Sequence, residues 1–307
     1  AGAERGAAAL SYNSLGGQEN EIVDAVTTAG RRALGAAGDA VGPLLSVRIG
    51  VQGMVDAAGR TLLWSPFTRF RDMALAERLE SAFAAPVTLA HDCAMIVESL
   101  RWRDPGSHGG DFLAILQAEG IGMGLYLKNG LFAGARSSAG EFGHMLIRPG
   151  GARCRCGRKG CVEAYASSYA IWRRAGNHDP DLVPDRNFSA ADMQVLADKA
   201  RSGDADARTA FEEAGAALGY AVGNLFALTD PVPVSIVGLG AAAFDLTERA
   251  MRAALAETFT GAAAASVLIE GYVDDMRLTA DGCRMTALVD LDRSVFALGD
   301  LLESAAE

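Results

Sequence analysis

Apolar residues follow two different spacings along the chain, and each spacing predicts a different element. Residues 21–37 carry apolar side chains at roughly helical spacing, which predicts an amphipathic helix. Residues 44–51 form a short apolar run rich in β-branched types, which predicts a buried strand. The pair Asn129-Gly130 lies between apolar segments and predicts a hairpin turn. Helices and strands continue to alternate as far as residue 304, and this alternation is typical of an α/β fold.

The predicted domain boundary lies in a short polar segment. Residues 103–110 (RDPGSHGG) gather Pro, Gly and Ser between two apolar runs, which is the composition of a hinge. We therefore expect two domains, as the length of 307 residues also favours. The first is an N-terminal α/β domain over residues 1–106, incomplete at its start and completed by a C-terminal helix over 292–307. The second is a larger α/β domain over residues 107–291.

Composition and charge narrow the classes of function. Half of the residues are apolar, yet no run approaches the roughly 18 needed to cross a bilayer, so we expect no membrane contact. A formal net charge of -10 argues against this chain being itself the main contact with nucleic acid. The first ten residues lack the pattern of a secretory signal. The cysteines are five in number, which is unlike a disulfide framework, and we expect a cytoplasmic location.

Four residues have the spacing and chemistry of a structural zinc site. Cys154, Cys156 and Cys161 lie within eight positions, and His144 precedes them in the same Gly- and Arg-rich segment. Three thiolates and one imidazole satisfy tetrahedral Zn²⁺ and leave no open coordination position, which is typical of a structural rather than a hydrolytic site. Nearby Arg and Lys side chains could offset the negative charge of such a centre. The alternative is three free thiols in a basic loop, which would be readily oxidised.

The same segment resembles the signature of a known family. GEFGHM (140–145), followed by CRCGRKGCVEAYAS (154–167), is similar to the signature of the ROK family, named for repressors, open reading frames and kinases. IGVQGMVD (49–56), LAHDCAM (89–95) and GIGMGLYLKNGLFAGA (120–135) resemble further segments of that family in the same order. The resemblance implies a two-domain, actin-like (ribonuclease-H-like) ATPase fold with a zinc-binding loop. It also implies a sugar in the interdomain cleft and, in active kinases, ATP with Mg²⁺.

The resemblance implies roles for residues in three motifs. Asp92 matches the catalytic Asp of the family, whereas Glu141, His144 and Glu163 match sugar-contacting residues. One ring nitrogen of His144 would ligate zinc while the other meets a sugar hydroxyl. His91 would also face the sugar, and it replaces an Asn of the family.

Each of these residues also has a simpler reading. Asp92 could cap the helix that follows it. Glu141 could be a solvated loop acid, and Glu163 could be a carboxylate that stabilises a helix start. His108 and His178 lie in polar segments, and we expect both to face solvent.

The resemblance implies a nucleotide site that is altered in this chain. Glu119 stands where the family has Thr in its second phosphate loop. A carboxylate about 4 Å from a phosphate would cost roughly 1 to 4 kcal/mol per unit charge. The Asp-x-Gly-x-Thr motif of the first phosphate loop is not found in residues 1–10. The glycines expected to line the remaining nucleotide site are Gly120, Gly122, Gly124, Gly238 and Gly240.

A retained sugar site with an eroded nucleotide site resembles the repressor branch of the family. We therefore predict the sugar-binding effector portion of a ROK-type transcriptional regulator, which would take a sugar or sugar phosphate. It would assemble as a homo-oligomer and would contact DNA only through a segment outside this chain. The alternative is an ATP-dependent kinase of hexoses or amino sugars that uses Asp92 as general base. A third possibility is a binding protein with neither activity.

Overall fold

The fold comprises two compact units. The computed structural model describes residues 4–38, 42–134, 140–260, 264 and 266–304. Among these residues, those up to Met95 and from Ala280 onward form the first unit, and those from Ile96 to Thr279 form the second. These limits differ from the boundaries drawn from the sequence, at 106/107 and 291/292. Residues 305–307 of the predicted C-terminal segment lie outside the described residues.

Among the described residues, the first unit is built on short strands and four helical segments. Its elements are α1 (Glu19–Ala37), β1 (Val47–Val51), β2 (Met54–Val55), β3 (Leu62–Trp64), α2 (Leu75–Phe83), β4 (Val87–His91), the start of α3 (Asp92–Arg103) and most of α11 (Asp275–Ser304). Strand β1 pairs in parallel with β4, and β2 pairs with β3 as an antiparallel hairpin. The α11 helix is continuous, where the sequence pattern predicts two helices near 283–290 and 293–304.

Local sequence explains why the elements of the first unit begin and pack where they do. Gln18 and Glu21 form a reciprocal capping box that starts α1. Leu79 of α2 and Val87 of β4 belong to one apolar cluster that fills the unit. Gly282 lets α11 approach α3 closely, because a Cβ there would lie 1.9 Å from the carbonyl oxygen of Met95. The C-terminal helix therefore completes the packing of the N-terminal residues.

The second unit contains a five-stranded mixed sheet. Its elements are the rest of α3, α4 (Pro105–His108), β5 (Phe112–Gln117), β6 (Ile121–Leu127), β7 (Gly130–Leu131), a 3-10 turn (Glu141–His144), α5 (Glu163–Ala166), α6 (Ser168–Ala175), α7 (Ala190–Arg201), α8 (Ala205–Thr229), β8 (Val234–Val237), α9 (Leu239–Ala242), α10 (Phe244–Ala256), β9 (Ile269–Tyr272) and the start of α11. The strand order is β7-β6-β5-β8-β9. Strand β6 is antiparallel to β5 and β7, whereas β5, β8 and β9 run parallel.

Burial follows from sequence at the centre of this sheet. All six residues of β5 are buried, as expected for an apolar strand covered on both faces. Helix α8 packs against α10 through small residues, since a Cβ on Gly215 or Gly219 would lie 2.2 Å from a carbonyl oxygen of α10. The backbones of the two helices therefore approach closely beside the sheet.

Two local predictions are wrong. The β6–β7 hairpin turn has Lys128 and Asn129 as its central residues, both with positive φ, so the turn lies one residue before the predicted pair. The expectation that His108 faces solvent is also wrong, because His108 lies in the helical turn α4 and is only 1% exposed. His178 is exposed, as expected. Along the part of the chain that the structure describes, no helix has both the length and the apolarity needed to cross a bilayer.

Candidate functional site

The four predicted metal ligands converge in the second unit. His144 ends the 3-10 turn, and Cys154, Cys156 and Cys161 lie in the segment that leads to α5. One ligand atom from each residue lies within 4.8 Å of the others. Nδ1 of His144 is 3.7 Å from Sγ of Cys154, and the sulfur atoms of Cys156 and Cys161 are 3.8 Å apart. The sequence spacing therefore predicted a real spatial cluster.

These distances can be compared with the edges of a zinc tetrahedron. Zn–S bonds of about 2.3 Å at the tetrahedral angle place two sulfur atoms about 3.8 Å apart, and a sulfur and a nitrogen atom about 3.6 Å apart. Both observed separations agree with these edges to within about 0.1 Å. The donor set and the geometry thus fit one four-coordinate metal ion.

The three thiols differ in the direction of their pKa shifts. Burial raises the pKa of Cys161 to about 11, with the neighbouring Cys156 adding to the effect. Burial and then the charge of Glu163 raise the pKa of Cys154 far above its usual range. Burial acts in the same direction on Cys156, but backbone and side-chain hydrogen bonds from Arg158 and its partner thiols bring its pKa below normal. A metal ion that binds here has to displace the thiol protons.

The loop that carries the cysteines has almost no apolar core of its own. We refer to residues 145–162 as the metal loop. Its buried cluster consists of small side chains only, namely Ala152, Cys154, Cys161 and Ala164. Backbone hydrogen bonds supply most of the remaining order, for example from Ile147 and Arg148 to the carbonyl of Gly160. A metal ion that joined the four ligands would give such a loop a defined shape.

His144 faces two different groups through its two ring nitrogens. Nδ1 points to Cys154, whereas Nε2 lies 3.7 Å from a carboxylate oxygen of Glu141. Glu141 begins the 3-10 turn that His144 ends, so one turn of backbone places both side chains on the same side. The turn follows Gly140, whose φ of 105° is in the region that favours glycine.

Glu163 is a buried carboxylate beside the thiol cluster. It is 7% exposed at the start of α5. Its Oε1 accepts hydrogen bonds from Sγ of Cys154 at 3.3 Å and from the hydroxyl of Tyr169 at 3.4 Å. Gly120 lies against its other oxygen, since a Cβ there would be 3.1 Å from Oε2. Glu163 therefore touches both the metal cluster and the turn that precedes β6.

The turn at residues 118–120 carries Glu119, and the carboxylate of Glu119 accepts hydrogen bonds from other segments. Oε2 of Glu119 accepts a hydrogen bond from Nη1 of Arg155 at 2.8 Å, and Oε1 accepts the backbone N–H of Phe188. The electrostatic penalty expected for a nearby phosphate assumes an unpaired carboxylate. The ion pair with Arg155 reduces that penalty, because it partly neutralises the charge of Glu119.

The five glycines expected at a nucleotide site lie at four places in the second unit. Gly120 is in the turn before β6, whereas Gly122 and Gly124 lie within β6 opposite Leu116 and Ala114. Gly238 follows β8 with a φ of 86°, and Gly240 lies in α9. A Cβ on Gly240 would lie 1.9 Å from Oε1 of Gln117. The space at Gly240 is thus required for internal packing.

Asp92 and His91 lie in the first unit, at the junction of β4 and α3. Asp92 is 7% exposed, and its Oδ1 accepts the backbone N–H of Cys93 at 2.7 Å. Nε2 of His91 is 3.4 Å from the same oxygen. The carboxylate therefore contacts a backbone N–H in the first turn of α3, and this contact is compatible with a role in chemistry.

Comparisons with known proteins agree with the signature in this site. A sequence model described as the ROK family matches residues 18–275. This chain belongs to the ROK family. A glucokinase from Halalkalibacterium halodurans is 27% identical over 205 residues, which cover 64% of this chain and 61% of that protein. The DNA-binding transcriptional dual regulator NagC of Escherichia coli is 25% identical over 196 residues, which cover 64% of this chain and 48% of the regulator.

Solved structures of ROK proteins share the fold. A ROK family glucokinase from Streptomyces griseus in complex with glucose and AMPPNP superposes with a TM-score of 0.70 at 25% identity, covering 87% of each chain. A ROK family transcriptional regulator, a homolog of the Escherichia coli MLC protein, superposes with a TM-score of 0.68 at 20% identity, covering 89% of this chain and 72% of that one. The chain therefore has the actin-like α/β fold of ROK sugar kinases and regulators.

Three residues near the candidate site make contacts that the sequence does not predict. Tyr169 is fully buried, and its hydroxyl also accepts the backbone N–H of Arg155 at 3.3 Å. Arg155, one of the basic residues near the cysteines, pairs with Glu119. Gln117 donates from Nε2 to the carbonyl of Ala166 at 2.8 Å. No local pattern marks these contacts, because each joins residues far apart in sequence.

Proposed function

We propose that this chain binds a sugar through Glu141, His144 and Glu163, and that it is the effector portion of a ROK-type transcriptional regulator. The observation that carries the proposal is the arrangement of His144, whose Nδ1 faces the thiol cluster while its Nε2 faces Glu141. Glu163 contacts the same cluster from the start of α5. Three groups suited to sugar hydroxyls thus surround one metal centre.

The chemistry of these groups suits a polyhydroxylated ligand. Carboxylates accept hydrogen bonds from hydroxyls, and a neutral imidazole offers one donor and one acceptor. A metal ligated by Nδ1 of His144 would leave the proton on Nε2, which then donates. The ROK relatives include a glucokinase and a structure with bound glucose, and this supports a hexose or a related sugar as the ligand.

Zinc is the metal we propose for the cluster. Three thiolates with one imidazole in a tetrahedral arrangement are typical of structural zinc. Zinc would hold the metal loop in shape and fix the tautomer of His144. It would take no part in bond breaking, because four protein ligands fill its coordination sphere.

The preference for a regulator rests on the turn at residues 118–120. Glu119 replaces a hydroxyl residue of the kinase phosphate loop, so this turn lacks that hydroxyl donor for a phosphate, and the Glu119 side chain is committed to Arg155 and Phe188. The chain spans 48% of the Escherichia coli regulator that it matches, so DNA binding is proposed for a segment outside these 307 residues. The acidic net charge of -10 agrees with that division. We further propose a cytoplasmic homo-oligomer.

A kinase is the second candidate, and Asp92 favours it. Its carboxylate is buried, lies beside His91 and has the position in sequence of the catalytic Asp of ROK kinases. In this reading Asp92 would take the proton of the attacking sugar hydroxyl, and ATP with Mg²⁺ would be required. The ion pair of Glu119 with Arg155 lowers the electrostatic obstacle to this activity.

Calorimetric titration of the zinc-loaded chain with glucose, N-acetylglucosamine and xylose tests sugar binding. Glu141→Gln and Glu163→Gln should each weaken the affinity for the preferred sugar by about tenfold or more, since hydrogen bonds to charged groups contribute about 1.5 to 3 kcal/mol. Glu213→Gln, which removes an ion pair with Arg174 elsewhere in the same unit, is the matched control and should bind as the parent does. Equal affinity in all four proteins would refute the assignment of the sugar site.

An assay of ATP turnover with the same sugars separates the two candidates. The regulator proposal expects no turnover above background in the parent protein or in Asp92→Asn. Sugar-dependent turnover that is lost in Asp92→Asn would instead establish the kinase.

A further inference from the structure

Glu119 and Arg155 form a largely enclosed ion pair between two segments that are distant in sequence. The side chains are 16% and 26% exposed. Besides Nη1 of Arg155, the carboxylate of Glu119 accepts the backbone N–H of Phe188. Both oxygens of Glu119 therefore have defined donors, and its side chain is held at a fixed place.

Arg155 lies between two of the metal-cluster cysteines in sequence. Its Nη2 donates to the carbonyl of Arg186 at 2.8 Å, and its guanidinium stacks 4.6 Å from the centre of the Tyr169 ring. Its backbone N–H donates to the hydroxyl of Tyr169, and its neighbours in sequence, Cys154 and Cys156, are two of the predicted metal ligands. The position of this guanidinium thus depends on the shape of the metal loop.

The neighbours of Glu119 in the turn contact the segment that follows the metal loop. The carbonyl of Ala118 accepts from both the backbone N–H and the hydroxyl of Ser168, each at 2.9 Å. Gly120 packs against Glu163. Each of the three turn residues is therefore held by a residue between 155 and 168.

We propose that Glu119 and Arg155 are positioning residues that couple the metal loop to the turn at 118–120. Disorder of the metal loop should loosen the turn, because the ion pair joins the turn to the part of the loop that lies between two of its cysteine ligands. In this proposal the role of Glu119 is to join the turn to the metal loop through Arg155, rather than to repel phosphate. Gly120 of the turn lies against Glu163, so loosening the turn should also weaken sugar affinity. This consequence rests on the proposed function, whereas the coupling itself does not rest on it.

Hydrogen–deuterium exchange of the full zinc-loaded chain tests the coupling. Arg155→Gln should raise amide exchange in peptides covering residues 118–122 by about fivefold or more, the change expected for the loss of one ordering interaction. Glu119→Gln retains an acceptor for Phe188 but loses the charge, and it should raise exchange in residues 152–158. The double variant should resemble the single variants, because both remove the same contact.

Asp181→Asn is the matched control. Lys159 of the metal loop pairs with Asp181 at 2.6 Å, but this ion pair does not reach the turn. The control should leave exchange at 118–122 as in the parent. If Arg155→Gln leaves the turn unchanged, or if Asp181→Asn loosens the turn equally, the coupling is refuted. Arg155→Lys retains the charge without the forked donor geometry; it should loosen the turn less than Arg155→Gln, and it carries the test if the glutamine variant does not fold.

Metal removal and sugar binding separate this inference from the proposed function. Chelation of zinc should loosen the turn in the parent and add little in Arg155→Gln, whose turn is already uncoupled. Arg155→Gln should also weaken sugar affinity, while Asp181→Asn should not. A chain that binds no sugar but shows the exchange pattern refutes the proposed function and supports the coupling. A chain that binds sugar, but whose turn does not respond to Arg155→Gln, supports the proposed function and refutes the coupling.

Discussion

Two glycines of the metal loop offer a test of why the loop has its shape. Gly157 and Gly160 have nearly the same backbone φ, 87° and 90°. A Cβ on Gly160 would lie 1.8 Å from the carbonyl oxygen of Arg148, whereas a Cβ on Gly157 would meet nothing within 4 Å. Alanine at the two positions therefore carries the same conformational strain but a different steric cost.

The magnitudes follow from the contacts. Placing a residue with a Cβ in the left-handed region costs about 1 to 2 kcal/mol at either position. At Gly160 the backbone must also move, and its carbonyl accepts hydrogen bonds from Ile147 at 2.9 Å and Arg148 at 3.1 Å. Each hydrogen bond contributes about 0.5 to 1.5 kcal/mol. Gly157→Ala should thus lose about 1 to 2 kcal/mol and Gly160→Ala about 2 to 5 kcal/mol of loop stability.

The assay has to report on the loop rather than on the whole chain, because two units need not unfold in one transition. Hydrogen–deuterium exchange of peptides within residues 146–162 of the zinc-loaded protein measures local opening directly. Gly160→Ala should exchange faster than Gly157→Ala, and Gly157→Ala faster than the parent. Equal acceleration in the two variants would show that the contact with Arg148 does not determine the conformation of the loop.

Two further predictions concern buried polar groups of the second unit. Burial lowers the pKa of His108, so the unfolded chain binds this proton at a higher pH than the native state does. The free energy of unfolding should therefore fall as the pH drops below about 6.5. Urea titrations of His108→Gln at several pH values should show a weaker dependence of that free energy on pH, and an unchanged dependence would contradict the prediction. Gly240→Ala places its Cβ against Oε1 of Gln117, and this overpacking, worth about 1 to 3 kcal/mol, should lower the thermal midpoint. Adding Gln117→Ala to the same chain should restore part of the lost stability. No recovery would contradict the steric explanation.

The sequence predicts best what is encoded locally. The spacing of His144 and the three cysteines was sufficient to predict their cluster, and the apolar run at residues 44–51 was sufficient to predict the strand β1. Both signals lie within short segments, where the spacing of residue types is directly readable.

Contacts between distant segments could not be read in this way. His108 sits in a segment of polar composition, but it is buried because its Nε2 lies 2.9 Å from the hydroxyl of Ser235 on β8. Glu119 looked like an exposed charge next to a phosphate, and only the fold reveals Arg155 beside it. In both cases the partner that satisfies the polar group lies on another element.

The sparse apolar cluster of the metal loop has a consequence for how ROK sequences can diverge. A loop shaped by hydrophobic packing has few positions that tolerate a long polar side chain. In this loop the buried cluster contains only Ala and Cys side chains, so the positions between the ligands are not restricted to residues that pack. Arg155 and Lys159 occupy such positions and pair with carboxylates elsewhere in the unit. Substitutions at these positions can thus change the ion pairs around the site while the four ligands remain unchanged.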